Sequence, residues 1–279
     1  LEESLATARA RGHARGVARA LDFLGLMARD RGDYEEARSL LEESLALWQC
    51  EGDASETSIL MERLGMTLFH LGERDNACDL IGRALTMSHE LGDVIMVGYC
   101  RLSLGQIVHV QGELGRAGEY YVACRTSWDG VGYEQGIAEV AGYMGDLALD
   151  MGDLASAREH YADGLQRSWA CGDKRGSAHC WEGMAILAVV DGDPEHALHL
   201  GGAAAALRHA CSAALPPSSR ARLVGSLDRA RRVLGQAAAE TAWAEGQAMT
   251  PDEAMAYALG TPEARLAVQL LPGRSSGGK

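Results

Sequence analysis

The sequence predicts an all-α chain of stacked helical hairpins, and three observations carry that expectation. The string LEESL at Leu1–Leu5 returns at Leu41–Leu45, 40 residues on. Glycines keep that register: Gly32, Gly72, Gly112, Gly152 and Gly192 each open a stretch of the form G-[DE]-x-x-x-A. The composition is rich in Ala, Leu and Gly, with 5% aromatics and only 6 prolines in 279 residues, a balance that favours helices over β-sandwiches.

A second glycine series, Gly12, Gly52, Gly92, Gly132 and Gly172, falls 20 residues from the first. Each period therefore holds two helices of roughly 15 residues with a glycine-marked turn after each. Glycine suits a helix end that needs a left-handed residue, and the acid after it suits the positive end of the next helix.

The first helix of each repeat carries a large residue followed by a small one: Leu24-Gly25, Leu64-Gly65, Leu104-Gly105, Met144-Gly145 and Met184-Ala185. The second carries Ala37, Ala77, Ala117, Ala157 and Ala197. Four residues on come Leu41, Ile81, Tyr121, Tyr161 and Gly201, then Ser44, Ala84, Cys124, Gly164 and Ala204. Small, large, small is the pattern of helices that interlock closely.

At these residues the sequence resembles the tetratricopeptide repeat, whose usual period is about 34 residues. The longer period matches a variant in which an extended second helix and a GD turn add about six residues. The resemblance implies a right-handed α-solenoid of about five repeats over 1–212, closed by capping helices over 213–271 and a flexible tail at 272–279. The fifth repeat, with Gly201 and the run GGAAAA, reads as a degenerate terminal one.

After Pro216-Pro217 three or four short helices are expected. Thr250-Pro251-Asp252-Glu253 is a capping box with Pro at the first helical position, and Thr261 opens a second such start. The string LGQAAAETAWAEGQAMTPDEAMAYAL, 234–259, resembles the segment that closes the tetratricopeptide region of bacterial signal-transduction regulators. Those proteins carry a STAND-class ATPase module upstream and often a LuxR-type helix-turn-helix downstream. A start inside a repeat, without an initiator Met, reads as a fragment of such a longer protein.

The formal charge of −13 removes the phosphate attraction that drives non-specific nucleic-acid binding, so no direct nucleic-acid contact is expected. No window approaches a membrane span and no leader pattern opens the chain, which reads as cytoplasmic. The seven cysteines, Cys50, Cys78, Cys100, Cys124, Cys171, Cys180 and Cys211, contain no C-x-x-C and read as reduced core thiols. Trp48, Trp128, Trp169 and Trp181 read as core fillers.

Catalytic signatures are missing, and the sequence predicts neither an enzyme nor a cofactor. Gly273–Lys279 has the spacing of a phosphate-binding loop but not the following Ser/Thr or helix, and reads as a linker. His196 and His199 could supply two metal ligands beside Glu195, but with no third ligand they read as a repeat helix. Asp191 onward reads as a repeat turn, not a calcium loop.

The tetratricopeptide resemblance implies that the first helix of each repeat lines a concave groove. It would carry Arg19, Asp22, Leu26 and Arg29; Ile59, Glu62, Met66 and Phe69; Tyr99, Leu102, Gln106 and His109. Glu139, Gly142, Asp146 and Leu149 would follow, then His179, Glu182, Ile186 and Val189. About half are large and apolar, as expected of an interaction surface that takes a protein, a peptide or a small effector. Asp146 and Asp150 share a helix face near Glu182, and with no cation in view the three acids would favour a basic partner, with Phe69, Tyr99 and Leu102 anchoring its other end.

The expected role is a sensing or oligomerisation region that also packs on the absent ATPase, with self-association as its output. A passive assembly scaffold is the alternative, and a metal protein using His196 and His199 is a third.

Overall fold

A computed structural model describes residues 2–260. Within them lie fourteen helices and no strand. They are α1 (Glu2–Ala10), α2 (Ala14–Arg31), α3 (Tyr34–Glu51), α4 (Ala54–His70), α5 (Arg74–Leu91), α6 (Val94–Val110) and α7 (Leu114–Asp129). There follow α8 (Glu134–Asp150), α9 (Leu154–Ala170), α10 (Lys174–Val190), α11 (Pro194–Ala210), α12 (Pro217–Leu234), α13 (Gln236–Ala248) and α14 (Pro251–Ala258). The expected helix start at Thr261, the rest of the expected cap and the 272–279 tail lie outside the described residues.

The 40-residue period is structural. All ten turn glycines from Gly12 to Gly192 have positive φ, between 65° and 91°. At Gly152 (φ 78°) the reason is visible: its N–H reaches the Leu149 carbonyl and the next N–H, of Asp153, reaches back to Ala148, at 3.1 and 2.9 Å. This crossed pair ends α8 and needs a left-handed residue between its two bonds. Asp153 then caps α9 with its side chain, as Asp53, Asp93, Asp173 and Asp193 cap their helices, at 2.9–3.2 Å from a backbone N–H. At these five turns the acid after the glycine is thus a side-chain N-cap, worth about 1 kcal/mol, rather than a residue of the first turn, whereas Asp33, Glu73 and Glu113 hold the N-cap position without a side-chain bond.

Contacts divide the chain into two units, Leu1–Tyr143 with Ser212–Pro217, and Met144–Cys211 with Ser218–Lys279. In the first, each helix from α2 to α7 packs on the next, and the first helices α2, α4 and α6 also touch in succession. Ser212–Pro217 joins this unit through the Ala214 N–H, which donates to the Asp30 carbonyl at 2.6 Å. In the second unit α9 packs on α10 and α10 on α11, while α13 and α14 lie against α11.

The small-large pairs interlock as their spacing requires. A Cβ on Gly65 would stand 2.5 Å from Ile81 Cγ1, one on Gly105 2.5 Å from Tyr121, and one on Gly145 2.6 Å from Tyr161. The fifth repeat breaks the pattern for a positive reason. Gly201 faces Leu227 of α12 and Trp243 of α13, each 3.0 Å from where its Cβ would be. The capping helices supply the bulk that a large residue supplies elsewhere. Thr250 forms the expected capping box with Glu253 at the start of α14.

Trp48, Trp128 and Trp181 fill the core, and Trp169 is half-buried beside Trp181. The cysteines correct the sequence reading in part. Cys100, Cys124 and Cys180 are buried, but Cys50 and Cys171 are exposed, because both sit in the last turn of a helix or just beyond it, next to a turn glycine.

Candidate functional site

The fourteen residues at the centre of the expected groove are all on the first helices, and none is fully exposed. Met66, Phe69, Leu102, Glu182 and Ile186 are buried; Ile59, Glu62, Tyr99, Gln106, His109, Glu139, Asp146, Leu149 and His179 are half-buried. Leu102, at 1% exposure, belongs to the core and offers no open anchor.

In the first unit, Met66 and Phe69 join the core cluster against which Ile59 and Tyr99 pack. Polar residues of the same helices tie neighbours together. Arg63 of α4 donates to Asp22 of α2, and Ser103 of α6 donates to Glu62 of α4, the same step taken one repeat later. Burial pushes the Glu62 carboxyl above its ordinary pKa, against the pull of Arg29, Ser103 and Arg63. Tyr99 and Tyr133 share a hydroxyl hydrogen bond of 2.7 Å, and burial beside Glu139 raises the Tyr99 phenol far above its usual range. His109 Nδ1 lies 3.3 Å from Tyr121 Oη. At the end of α4, burial and the nearby Arg29 hold His70 down to a pKa of about 4, its ring stacked on Tyr34 at 4.8 Å.

In the second unit Asp146 and Asp150 meet at one guanidinium while Glu182 is paired separately, and the expectation that the acids lack cations is wrong. Arg222 of α12 pairs with both Asp146 and Asp150, and Arg208 of α11 grips Glu182 through two nitrogens. Asp146 also accepts from Tyr161 Oη at 2.6 Å and meets His179 Nε2 at 2.8 Å. Burial alone would raise the Asp146 carboxyl, but His179, Arg222 and Tyr161 hold it well below the usual carboxylate range. Burial alone would lower His179; the charge and hydrogen bond of Asp146, with Glu182 behind, raise it instead. The sequence reading missed Arg222 and Arg208 because neither cation lies on the first helices, where partners were sought.

His199 is 1% exposed and both its nitrogens are engaged, Nε2 with Glu245 at 2.9 Å and Nδ1 with Tyr257 Oη at 3.0 Å. It pins α13 and α14 to α11. His196 packs on the Tyr257 ring at 4.5 Å. Among the described residues no group of three or more His, Cys, Asp or Glu side chains is placed to hold a metal ion. No described helix is long and apolar enough to cross a membrane.

A family model described as "Tetratricopeptide repeat" matches residues 17–49, which span the hairpin of α2 and α3. A comparison with curated proteins finds no match. Among solved structures, the chain is similar to BtubC (BKLC) from P. vanneervenii at 20% identity and a TM-score of 0.56, over 77% of this chain and 91% of that one. It is also similar to the Rap conjugation gene regulator of the plasmid pLS20, solved in complex with the Phr* peptide. That match has 14% identity and a TM-score of 0.59, over 92% of this chain and 76% of that one. Similarity at these identities is similarity of fold, and the fold is an all-α, tetratricopeptide-like array of helical hairpins.

Proposed function

We propose that this chain is the recognition region of a signal-responsive regulator, and that it binds a peptide or an extended protein segment along the first helices of its first unit. One observation carries the reading. Met66 and Phe69, apolar and closed into the core, share the first helices α4, α6 and α8 with half-buried polar side chains, Glu62, Gln106, His109 and Glu139. Such a face can hydrogen-bond a peptide backbone while excluding water from its side chains. The solved Rap regulator, similar in fold, is in complex with a peptide.

Binding has a route to a structural response. Glu62 ties α4 to α6 through Ser103, so a ligand that takes over the Glu62 carboxylate releases that tie and changes the spacing of successive hairpins. In the finer reading, that change alters packing on an upstream STAND-type ATPase module and biases self-association in the cytoplasm, with DNA contact left to a LuxR-type domain.

Selection of a random peptide library on the purified chain tests the site. Selected peptides should bind the triple variant Glu62→Ala, Gln106→Ala, His109→Ala at least about tenfold more weakly, with its helicity intact. Equal binding by the folded variant places the site elsewhere. The coding sequence on either side tests the regulator: a frame with neither an ATPase nor a helix-turn-helix module contradicts it.

A further inference from the structure

Arg222 lies outside the repeats, yet its guanidinium is received by side chains of the repeat helices. Nη1 stands 3.0 Å from each oxygen of Asp150; Nη2 bonds Asp146 and lies 3.5 Å from Tyr161 Oη. The receiving groups are built in place. Asp146 is held by Tyr161 from α9 and His179 from α10. The fully buried Tyr161 ring is clasped by two glycines: a Cβ on Gly145 or Gly183 would stand 2.6 or 2.2 Å from it. Its hydroxyl therefore has one direction to point.

The helix that delivers Arg222 is held differently from those that follow it. α13 crosses α11 backbone to backbone, a Cβ on Gly202 meeting the Trp243 carbonyl oxygen at 2.4 Å, and α14 is pinned through Tyr257. α12 is held by side chains instead, with Leu223, Ser226, Leu227 and Ala230 buried and Leu227 against Gly201. It runs between two joints, Pro216-Pro217 and Gly235, whose φ of 79° and ψ of 162° form a bend open to glycine.

We propose that Asp146, Asp150 and Tyr161 form a recognition site for an arginine side chain of a partner protein, and that α12 is a built-in competitor whose Arg222 fills the site until that arginine displaces it. The chemistry selects arginine. Two carboxylates one helical turn apart take the two arms of a planar guanidinium, a fork geometry that the compact ammonium of lysine does not match. The exchange replaces like with like, so it costs little beyond the local concentration of the tethered Arg222, in the millimolar range. This goes beyond the reading above, since it concerns the second unit and holds whether or not a peptide binds the first.

Chemical complementation tests it. In the full chain carrying Arg222→Ala, N-acetyl-arginine-amide should bind at least about tenfold more tightly than in the parent, by NMR titration. N-acetyl-lysine-amide should show no such gain, and adding Asp146→Asn should abolish it. Should Arg222→Ala fail to fold, the parent chain decides: millimolar acetyl-Ala-Arg-Ala-amide should speed amide exchange in 217–234 and leave α13 unchanged. No gain in the folded variant, an equal gain with the lysine analogue, or unchanged exchange in α12 overturns the proposal.

Discussion

Gly246 of α13 lies directly on the backbone of His199 in α11: a Cβ at Gly246 would stand 2.1 Å from the His199 carbonyl oxygen and 2.8 Å from its Cα. No flexible side-chain tip can give way there, so a methyl group forces the helices apart. Gly246→Ala should destabilise the chain by about 1–3 kcal/mol, and by more if Glu245 and Tyr257 lose His199 together. Urea denaturation checks the magnitude, and proteolysis near Gly235 should accelerate. Gly225, within α12 and with nothing within 4 Å of its Cβ position, is the control. Gly225→Ala should be neutral or stabilise by up to about 1 kcal/mol.

Gly145 and Gly152, seven residues apart, are required for different reasons. Gly152 has φ 78° with open space around it, whereas Gly145 has Tyr161 where its Cβ would be. Substitution at Gly152 thus strains the backbone alone, about 1–3 kcal/mol for Gly152→Val, with part recovered by Gly152→Asn, which tolerates the left-handed region. At position 145 the cost should grow with side-chain size, and Asn should be worse than Ala. Thermal melts of the four variants give the two orderings; Gly152→Asn no more stable than Gly152→Val, or Gly145→Asn no less stable than Gly145→Ala, would contradict the assignment.

These contrasts mark what the sequence could and could not say. Turn glycines, the small-large pairs and the Thr250 capping box are local or periodic, so position in the repeat reveals their role. The pairing of Arg222 with Asp146 spans 76 residues and joins a repeat to a helix that does not repeat, so no spacing announces it. His199 shows the same limit, read as part of a possible ligand pair until Glu245 and Tyr257 close over it. Leu102 and Ile186 belong to the expected groove by the tetratricopeptide resemblance, which maps positions onto a face and does not say how deeply a given side chain is buried there.

The two histidines with displaced pKa values should act on stability in opposite directions. His70, held down to about 4, resists a proton that the unfolded chain accepts near 6.5, so its contribution is complete above about 6.5 and is lost as pH falls towards 4. His179 is raised, so the stability it lends is complete below about 6.5 and is lost as pH climbs through its folded pKa. Asp146, lowered, contributes above about 3.8 and fails only in stronger acid. His70→Asn should flatten the acidic limb of stability against pH, and His179→Gln the alkaline limb. NMR titration should find His70 neutral and His179 largely charged at pH 6; the reverse would contradict both environments.

Amide hydrogen exchange, read with and without a library-selected peptide, bears most directly on the claim that the first helices of the first unit are the working surface. The predicted result is slowed exchange concentrated in α4 and α6, around Glu62, Phe69, Gln106 and His109, with α3, α5 and α7 little changed. Protection confined to α3, α5 and α7, with α4 and α6 exchanging as in the free chain, would contradict it.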